Sequence, residues 1–160
     1  MRKKIAVVLG DPNSINSEII YKSWKKLNNN IKKNIFFISN VKLIKKQFQQ
    51  LKINQKIQEI NDIDIAANNK FKIINIDLKF KNSFNVKKKE ASPYIVKCLN
   101  LAHKLALRRD FCGLINCPIN KKLLPKKNIG VTEYLARKCR ILNSSEVMLI
   151  KSKNFAVVPI

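Results

Sequence analysis

The sequence predicts an α/β protein with a largely parallel sheet. Short continuous apolar runs, typical of strands buried on both faces, alternate along the chain with segments whose apolar residues lie three and four apart. The three glycines, Gly10, Gly113 and Gly130, all fall at strand ends or in loops, as such a fold requires of its turns.

Residues 5–9 form the first apolar run and predict a buried strand. A loop over 11–16 leads to a helix over 17–27, with Ile19, Ile20, Ser23, Trp24 and Leu27 expected on one face and Asn28 to Asn30 ending it. Residues 34–39 read as a second strand. Residues 41–51 read as a second amphipathic helix, carrying Leu43, Ile44, Phe48 and Leu51. Further strands are expected over 53–60 and 71–76, with a loop over 61–70 between them. The polar stretch 79–89 is an excursion before the clearest helical periodicity in the chain. There, over 91–109, Ile95, Cys98, Leu99, Ala102, Leu105 and Ala106 recur at three and four. Residues 111–116 are then a strand, broken by Cys117 and Pro118. A short helix over 132–139 is expected to be capped by Thr132, and 146–150 and 155–158 to be closing strands. Repeats and interdomain linkers are absent from the sequence.

At 160 residues and 46% apolar content, the chain is long enough for one domain with a real core. No apolar run approaches the roughly 18–20 residues that span a bilayer, so no membrane segment is expected. The basic start at Arg2 to Lys4 resembles a secretory leader only briefly: its apolar stretch is Ile5 to Leu9, and a cytoplasmic location is expected. The net charge of +23 invites a nucleic-acid reading, but all basic residues except Arg2, Arg108, Arg109, Arg137 and Arg140 are lysines. Lysine attracts phosphate without the two-pronged donor geometry that reads a base edge. The composition therefore argues against a nucleic-acid partner and for a field that draws small phosphorylated anions. Cys98, Cys112, Cys117 and Cys139 lack metal-site spacing and read as reduced, mostly buried thiols. His103, the only histidine, reads as a helix-surface residue and makes a self-contained histidine metal site implausible.

Two segments carry potential chemistry. The first runs from Gly10 through Asp11, Pro12 and Ile15 to Glu18, a strand-to-helix turn at the sheet edge where α/β proteins hold ligands. In the second, a strand delivers Asn116, Asn120 and Lys121 to the same edge, and Gly130, Val131 and Thr132 open a helix able to face an anion. No glycine-rich dinucleotide fingerprint or phosphate-cradling loop occurs. From spacing alone, simple turn chemistry explains these residues as well as ligand binding does. Lys121 reads equally as a solvated lysine at a helix start.

These segments resemble the 4-hydroxythreonine-4-phosphate dehydrogenases, whose first motif reads Gly-[Asp/Glu]-Pro-x-Gly-Ile-Gly-Pro-Glu. Gly10, Asp11, Pro12, Ile15 and Glu18 match it in register. The second motif, Leu-Ile-Thr-x-Pro-x-x-Lys followed by Gly-His-Thr-Glu-[Tyr/Phe]-Leu, is matched by Leu114, Ile115, Pro118, Lys121, Gly130, Thr132, Glu133, Tyr134 and Leu135. The likeness runs along all 160 residues. It implies an α/β/α sandwich like that of isocitrate and isopropylmalate dehydrogenases, here incomplete. Residues 1–160 would be the N-terminal portion of a longer enzyme. The implied activity is NAD-dependent oxidation, with decarboxylation, of 4-phosphooxy-L-threonine in pyridoxal 5'-phosphate synthesis. A divalent metal ion (zinc, magnesium or cobalt) and most of the NAD site would lie in a C-terminal half, and the complete protein would be a homodimer. The resemblance makes Thr132 a substrate contact, with Lys121 and Asn120 near the substrate phosphate or carboxylate, and implies an inactive isolated chain.

The departures are specific. Ser14, Asn16 and Ser17 stand where the family has Gly, Gly and Pro, and Asn16 is expected to tolerate positive φ. Asn116 replaces a threonine. Val131 replaces a substrate-binding histidine, so one polar contact is lost or supplied otherwise. That leaves two alternatives open: a related dehydrogenase for another phosphorylated hydroxy acid, or a basic, non-catalytic nucleic-acid-binding module.

Overall fold

The computed structural model describes residues 4–61, 63, 68–125, 130–141 and 146–158. Its centre is a five-stranded sheet of β1 (Lys4–Val8), β2 (Ile35–Ser39), β3 (Ile57–Ile60), β4 (Phe71–Asn75) and β5 (Phe111–Asn116). The strands lie in the order β3-β4-β2-β1-β5, and every adjacent pair is parallel. The predicted α/β/α sandwich is the observed one. The apolar runs are continuous in the inner strands because both faces are covered, and all five residues of β2 are buried.

Neighbouring residues of a strand point to opposite faces, and Phe36 and Phe37 divide the core accordingly. Phe37 stacks on Phe71 with ring centroids 4.2 Å apart. Trp24 of helix α1 (Asn16–Lys26) and Phe48 of helix α3 (Val41–Gln50) close over Phe71 at 5.2 and 5.7 Å. Phe36 meets Phe111 on the other face, where helix α4 (Lys88–Ala106) packs across β5, β1 and β2. Ile95, Cys98, Leu99, Ala102 and Leu105, the residues that revealed α4 in the sequence, are all buried.

Several expectations need correction. Ile19 and Ser23 point outward: the covered stripe of α1 is Ser17, Ile20, Tyr21, Trp24 and Leu27. Asn28 caps a further four-residue helix, α2 (Asn29–Lys32), by accepting a hydrogen bond from the Ile31 amide. Leu51 follows α3 and is exposed. The strand expected over 53–60 is confined to β3. The expected 61–70 loop lies in part outside the described residues.

Helix α5 (Val131–Lys138) has Gly130 at its cap position, and Thr132 lies inside the first turn without a capping bond. The segments expected to close the sheet form a separate antiparallel pair, β6 (Ile150–Lys151) with β7 (Ala156–Val157), whose residues are exposed. Their apolar composition signalled strand, but strand type does not specify the partner. Cys112 and Cys139 are exposed, so only Cys98 and Cys117 are the buried thiols expected. His103 lies half-buried on α4, with Nε2 3.4 Å from Cys139 Sγ. Among the described residues no helix is long and apolar enough to cross a membrane.

The amino edge of the sheet is held by charge. Lys4 Nζ donates to Asp110 Oδ2 at 3.0 Å and Arg108 Nε to Asp110 Oδ1 at 2.9 Å. The Arg108 bond first, then the Lys4 bond, draws the Asp110 carboxyl down to about 2. Lys72, inside β4, is fully buried, a position at which sequence reading expects a solvated side chain. Its ammonium donates to the carbonyls of Lys32 (3.2 Å), Lys33 (2.9 Å) and Asn68 (2.5 Å), with Nζ 4.8 Å from the Phe36 ring centroid. It thereby satisfies carbonyls at the end of α2, and burial pulls its pKa down to about 8.

Candidate functional site

Strand order locates the crevice. From β1 the chain moves through α1 towards β2 on one side, whereas β4 leads through α4 to β5 on the other. The order reverses between β1 and β5, and ligands of open α/β sheets bind outside the carboxyl ends at such a reversal. Both sequence motifs lie there: one turn leaves β1 at Gly10 and the other leaves β5 at Cys117.

Asn16 joins the two turns. It is the first residue of α1 and is buried, and Nδ2 donates to the carbonyl of Leu9 and to that of Pro118, each at 2.8 Å. The Cys117 amide bonds Val8 at 2.9 Å and the Asp11 amide bonds Pro118 at 3.3 Å, extending the β1–β5 pairing into the turns. Gly10 sits at the crossing with φ of 76°, and a Cβ there would lie 2.7 Å from both Pro118 O and Asn16 Nδ2. A side chain is excluded twice, by backbone conformation and by space. The positive φ thus belongs to Gly10. Asn16 is helical, contrary to expectation, because its amide is more useful as a cross-link than its backbone is as a turn.

The first turn is fastened on its far side too. Asn13 and Val86 exchange reciprocal bonds at 2.9 and 2.6 Å, and Gln47 Nε2 donates to Pro12 O at 2.8 Å and Ser83 O at 2.7 Å. At the end of β2, Asn40 donates to Ile76 O at 2.9 Å and caps α3 through the Leu43 amide at 2.9 Å. The gap inside this mesh is about 10 Å³, room for no more than one water, so a substrate must sit outside the turns.

The three sequence-predicted contacts stand differently. Asn120 Oδ1 accepts the Lys122 amide at 3.0 Å and so caps a 3-10 turn, Lys121–Leu123, leaving its side-chain NH₂ as the group open to a ligand. Lys121 and Thr132 are exposed. The helix bearing Thr132 is tied to α4 by Tyr134 Oη donating to Asn100 Oδ1 at 2.6 Å. Val131 is half-buried and packs against the core. Sequence reasoning missed Asn13 and Gln47, and the cross-linking role of Asn16, because their partners lie far away along the chain.

Burial removes several groups from catalytic consideration. It pushes the Cys117 thiol up to about 11 and the Cys98 thiol up to about 12, so both stay protonated at neutral pH. Burial likewise raises Tyr94 well above its ordinary value, while its hydroxyl lies 2.9 Å from Ser39 Oγ and accepts the Asn40 amide at 3.1 Å. Among the described residues no group of three or more His, Cys, Asp or Glu side chains could hold a metal ion. The chain's own described donors do not fit a metal centre.

An open parallel sheet with paired turns at its reversal defines an α/β protein whose sequence lacks the glycine-rich dinucleotide fingerprint. The family described as pyridoxal phosphate biosynthetic protein PdxA matches residues 30–160, and the chain belongs to that family. The family match begins beyond the Gly10 turn, but the likeness to individual relatives includes it. The 4-hydroxythreonine-4-phosphate dehydrogenase of Sulfurihydrogenibium sp. (strain YO3AOP1) is 29% identical over 97% of this chain. That of Erythrobacter litoralis (strain HTCC2594) is 24% identical over 99%. The chain spans about half the length of these relatives, 48% and 49%. The crystal structure of 4-hydroxythreonine-4-phosphate dehydrogenase from Klebsiella pneumoniae shares the fold, with a TM-score of 0.80 at 20% identity, over 98% of this chain and 50% of that one.

Proposed function

We propose that residues 1–160 are the N-terminal portion of an oxidoreductase of pyridoxal phosphate synthesis, which oxidises 4-phosphooxy-L-threonine with NAD. The observation that carries this reading is the fastening of the two motif turns to each other by Asn16 at the sheet reversal. Family membership supports an oxidoreductase role. In this reading the chain presents a preformed edge on which a phosphorylated hydroxy acid is oriented. Thr132 donates or accepts one hydrogen bond to it, Lys121 supplies a point charge to its phosphate or carboxylate, and the Asn120 side-chain NH₂ adds a donor. NAD would accept the hydride, and a divalent metal would polarise the reacting oxygens. Both would be held by a further C-terminal half, with two complete subunits meeting at the site.

The test is a coupled assay on the complete gene product with 4-phosphooxy-L-threonine, NAD and added divalent metal. NADH formation is expected, and its absence from a folded, metal-loaded protein rejects the reading. The 160-residue chain alone is expected to form none.

Val131 favours a second reading, in which the substrate is a different phosphorylated hydroxy acid. Valine offers no hydrogen bond where the family pattern has histidine, and here it is turned partly into the core. Val131→His in the complete protein, assayed across several phosphorylated hydroxy acids, separates the two. A preference for 4-phosphooxy-L-threonine that is unchanged by the substitution removes this alternative.

A further inference from the structure

We propose that the cleft between the 79–87 loop and the start of α4 binds a compact polyanion carrying two or more phosphate groups. The cleft has a volume of about 450 Å³, within the range of small-ligand sites, and none of its lining residues belongs to the motif turns. Four lysines, Lys79, Lys81, Lys87 and Lys89, line it against a single carboxylate, Glu90. No described carboxylate pairs with any of the four, so their charge is not internally neutralised.

Lysine abundance alone would scatter charge on mobile loops, but this loop is fixed. Ser83 Oγ donates to Gln50 Oε1 at 2.6 Å, Gln47 holds Ser83 O, and Asn13 holds Val86 from both sides. Asn82 Oδ1 also accepts the Phe84 amide at 2.9 Å, closing a tight turn between the lysines. The cations are therefore presented on a pre-ordered frame, and a ligand meets little ordering cost. Half-buried Phe80 forms one wall, and its ring is itself held by Lys46 of α3, whose Nζ lies 5.5 Å from the ring centroid. α4 begins here without a side-chain cap, so its first amides and the positive end of its dipole act in the same direction.

The shape favours a small ligand over a nucleic-acid backbone. A concave cleft surrounds a compact anion, whereas a duplex is convex and would meet only the rim. No arginine lines the cleft to read a base.

The test titrates inorganic pyrophosphate into the whole chain by calorimetry, at two salt concentrations. A cleft variant, Lys79→Gln with Lys81→Gln, is compared with a charge-matched control, Lys26→Gln with Lys42→Gln. All four positions are exposed. Saturable binding is expected, weakened about tenfold in the cleft variant and less than about twofold in the control. Equal losses in both variants would show a general field rather than a site and overturn the proposal. So would a failure to saturate, or tighter binding of a single-stranded oligonucleotide that displaces pyrophosphate. If the double variant melts early, each single variant is read instead, with a loss of about threefold expected. The titration needs no NAD, metal or substrate, so its failure leaves the proposed oxidoreductase role standing.

Discussion

The two edges of the sheet are fastened by opposite chemistry. At the carboxyl edge the long-range side-chain cross-links are neutral: the amides of Asn13 to Val86, Asn16 to Pro118, Asn40 to Ile76 and Gln47 to Pro12, and the Tyr94 hydroxyl to Ser39 and Asn40. At the amino edge the fastenings are ionic: Lys4 and Arg108 on Asp110, and the Lys72 ammonium among carbonyls. In the proposed function the carboxyl edge meets phosphate, and neutral fastening suits that role because no resident charge has to be displaced or rebalanced when a ligand arrives. The far edge bears no such constraint.

The sharpest break of this contrast is Gly10→Val. It forces a β-branched residue to positive φ against two backbone carbonyls, and a stability loss of roughly 3–5 kcal/mol is expected in urea denaturation. Gly113, in β5, has open space around its missing side chain but a φ of 153°, so Gly113→Ala is expected to cost about 1–2 kcal/mol in the same measurement, from backbone conformation alone. Comparable losses at the two glycines would mean that the β1–β5 crossing is less tightly packed than described.

Asn16→Ala comes next. It leaves the Leu9 and Pro118 carbonyls without their shared donor, and about 1–3 kcal/mol should be lost. Asn16→Gly restores the residue of the family pattern, and a loss of similar size is expected because the cross-link is equally absent. Full stability in both variants would show the cross-link to be dispensable.

The two edges should respond to pH in opposite senses. Lys72 at the amino edge gains stability as pH rises, whereas the Cys117 thiol at the carboxyl edge, raised from 9.0 to about 11, loses it as the unfolded thiol ionises. Lys72 has a folded pKa of about 8 against 10.5 for an ordinary lysine, so between those values the unfolded chain holds more protons. Relative to Lys72→Met, stability should therefore rise as pH climbs through that window, by about 1–2 kcal/mol once the carbonyl partners that favour the ammonium are allowed for. Urea midpoints at pH 7.5 and 10 check this, with Lys72→Met as the reference for the titration of all other lysines. A rise of equal size in Lys72→Met would assign the effect to general charge relief instead.

The smallest effect on stability is expected at the proposed contacts. Thr132→Ala and Lys121→Gln touch exposed side chains and should change the unfolding free energy measured in urea by no more than about 0.5 kcal/mol. In the complete protein they should raise KM for the phosphorylated substrate. A large stability loss at either position would mark a structural residue, not a ligand contact.

What the sequence revealed follows from the range of each interaction. α4 and β5 were legible because their signals are local and repeated: the spacing from Ile95 to Leu105, and the unbroken run from Phe111 to Asn116. The motif turns were legible as turns because glycine and proline act on their own backbone. Their fastening was not. Asn16 reaches a carbonyl 102 positions away, and nothing in a single sequence pairs them. Thr132 was misread as a cap because threonine favours that position, but Gly130 already holds it. Lys72 was invisible for the opposite reason: lysine is so rarely buried that only the fold reveals the three carbonyls awaiting it.

That lysine has a practical consequence. Reagents that acylate or methylate amines need both access and an uncharged nitrogen. Lys72 lies deep beneath the α2–β4 seam, so it should be left unmodified while the exposed lysines react within minutes. Its slow labelling, followed by mass spectrometry, would then time the opening of that seam, and a chain rich in lysine would carry one amine that keeps a record of its own breathing.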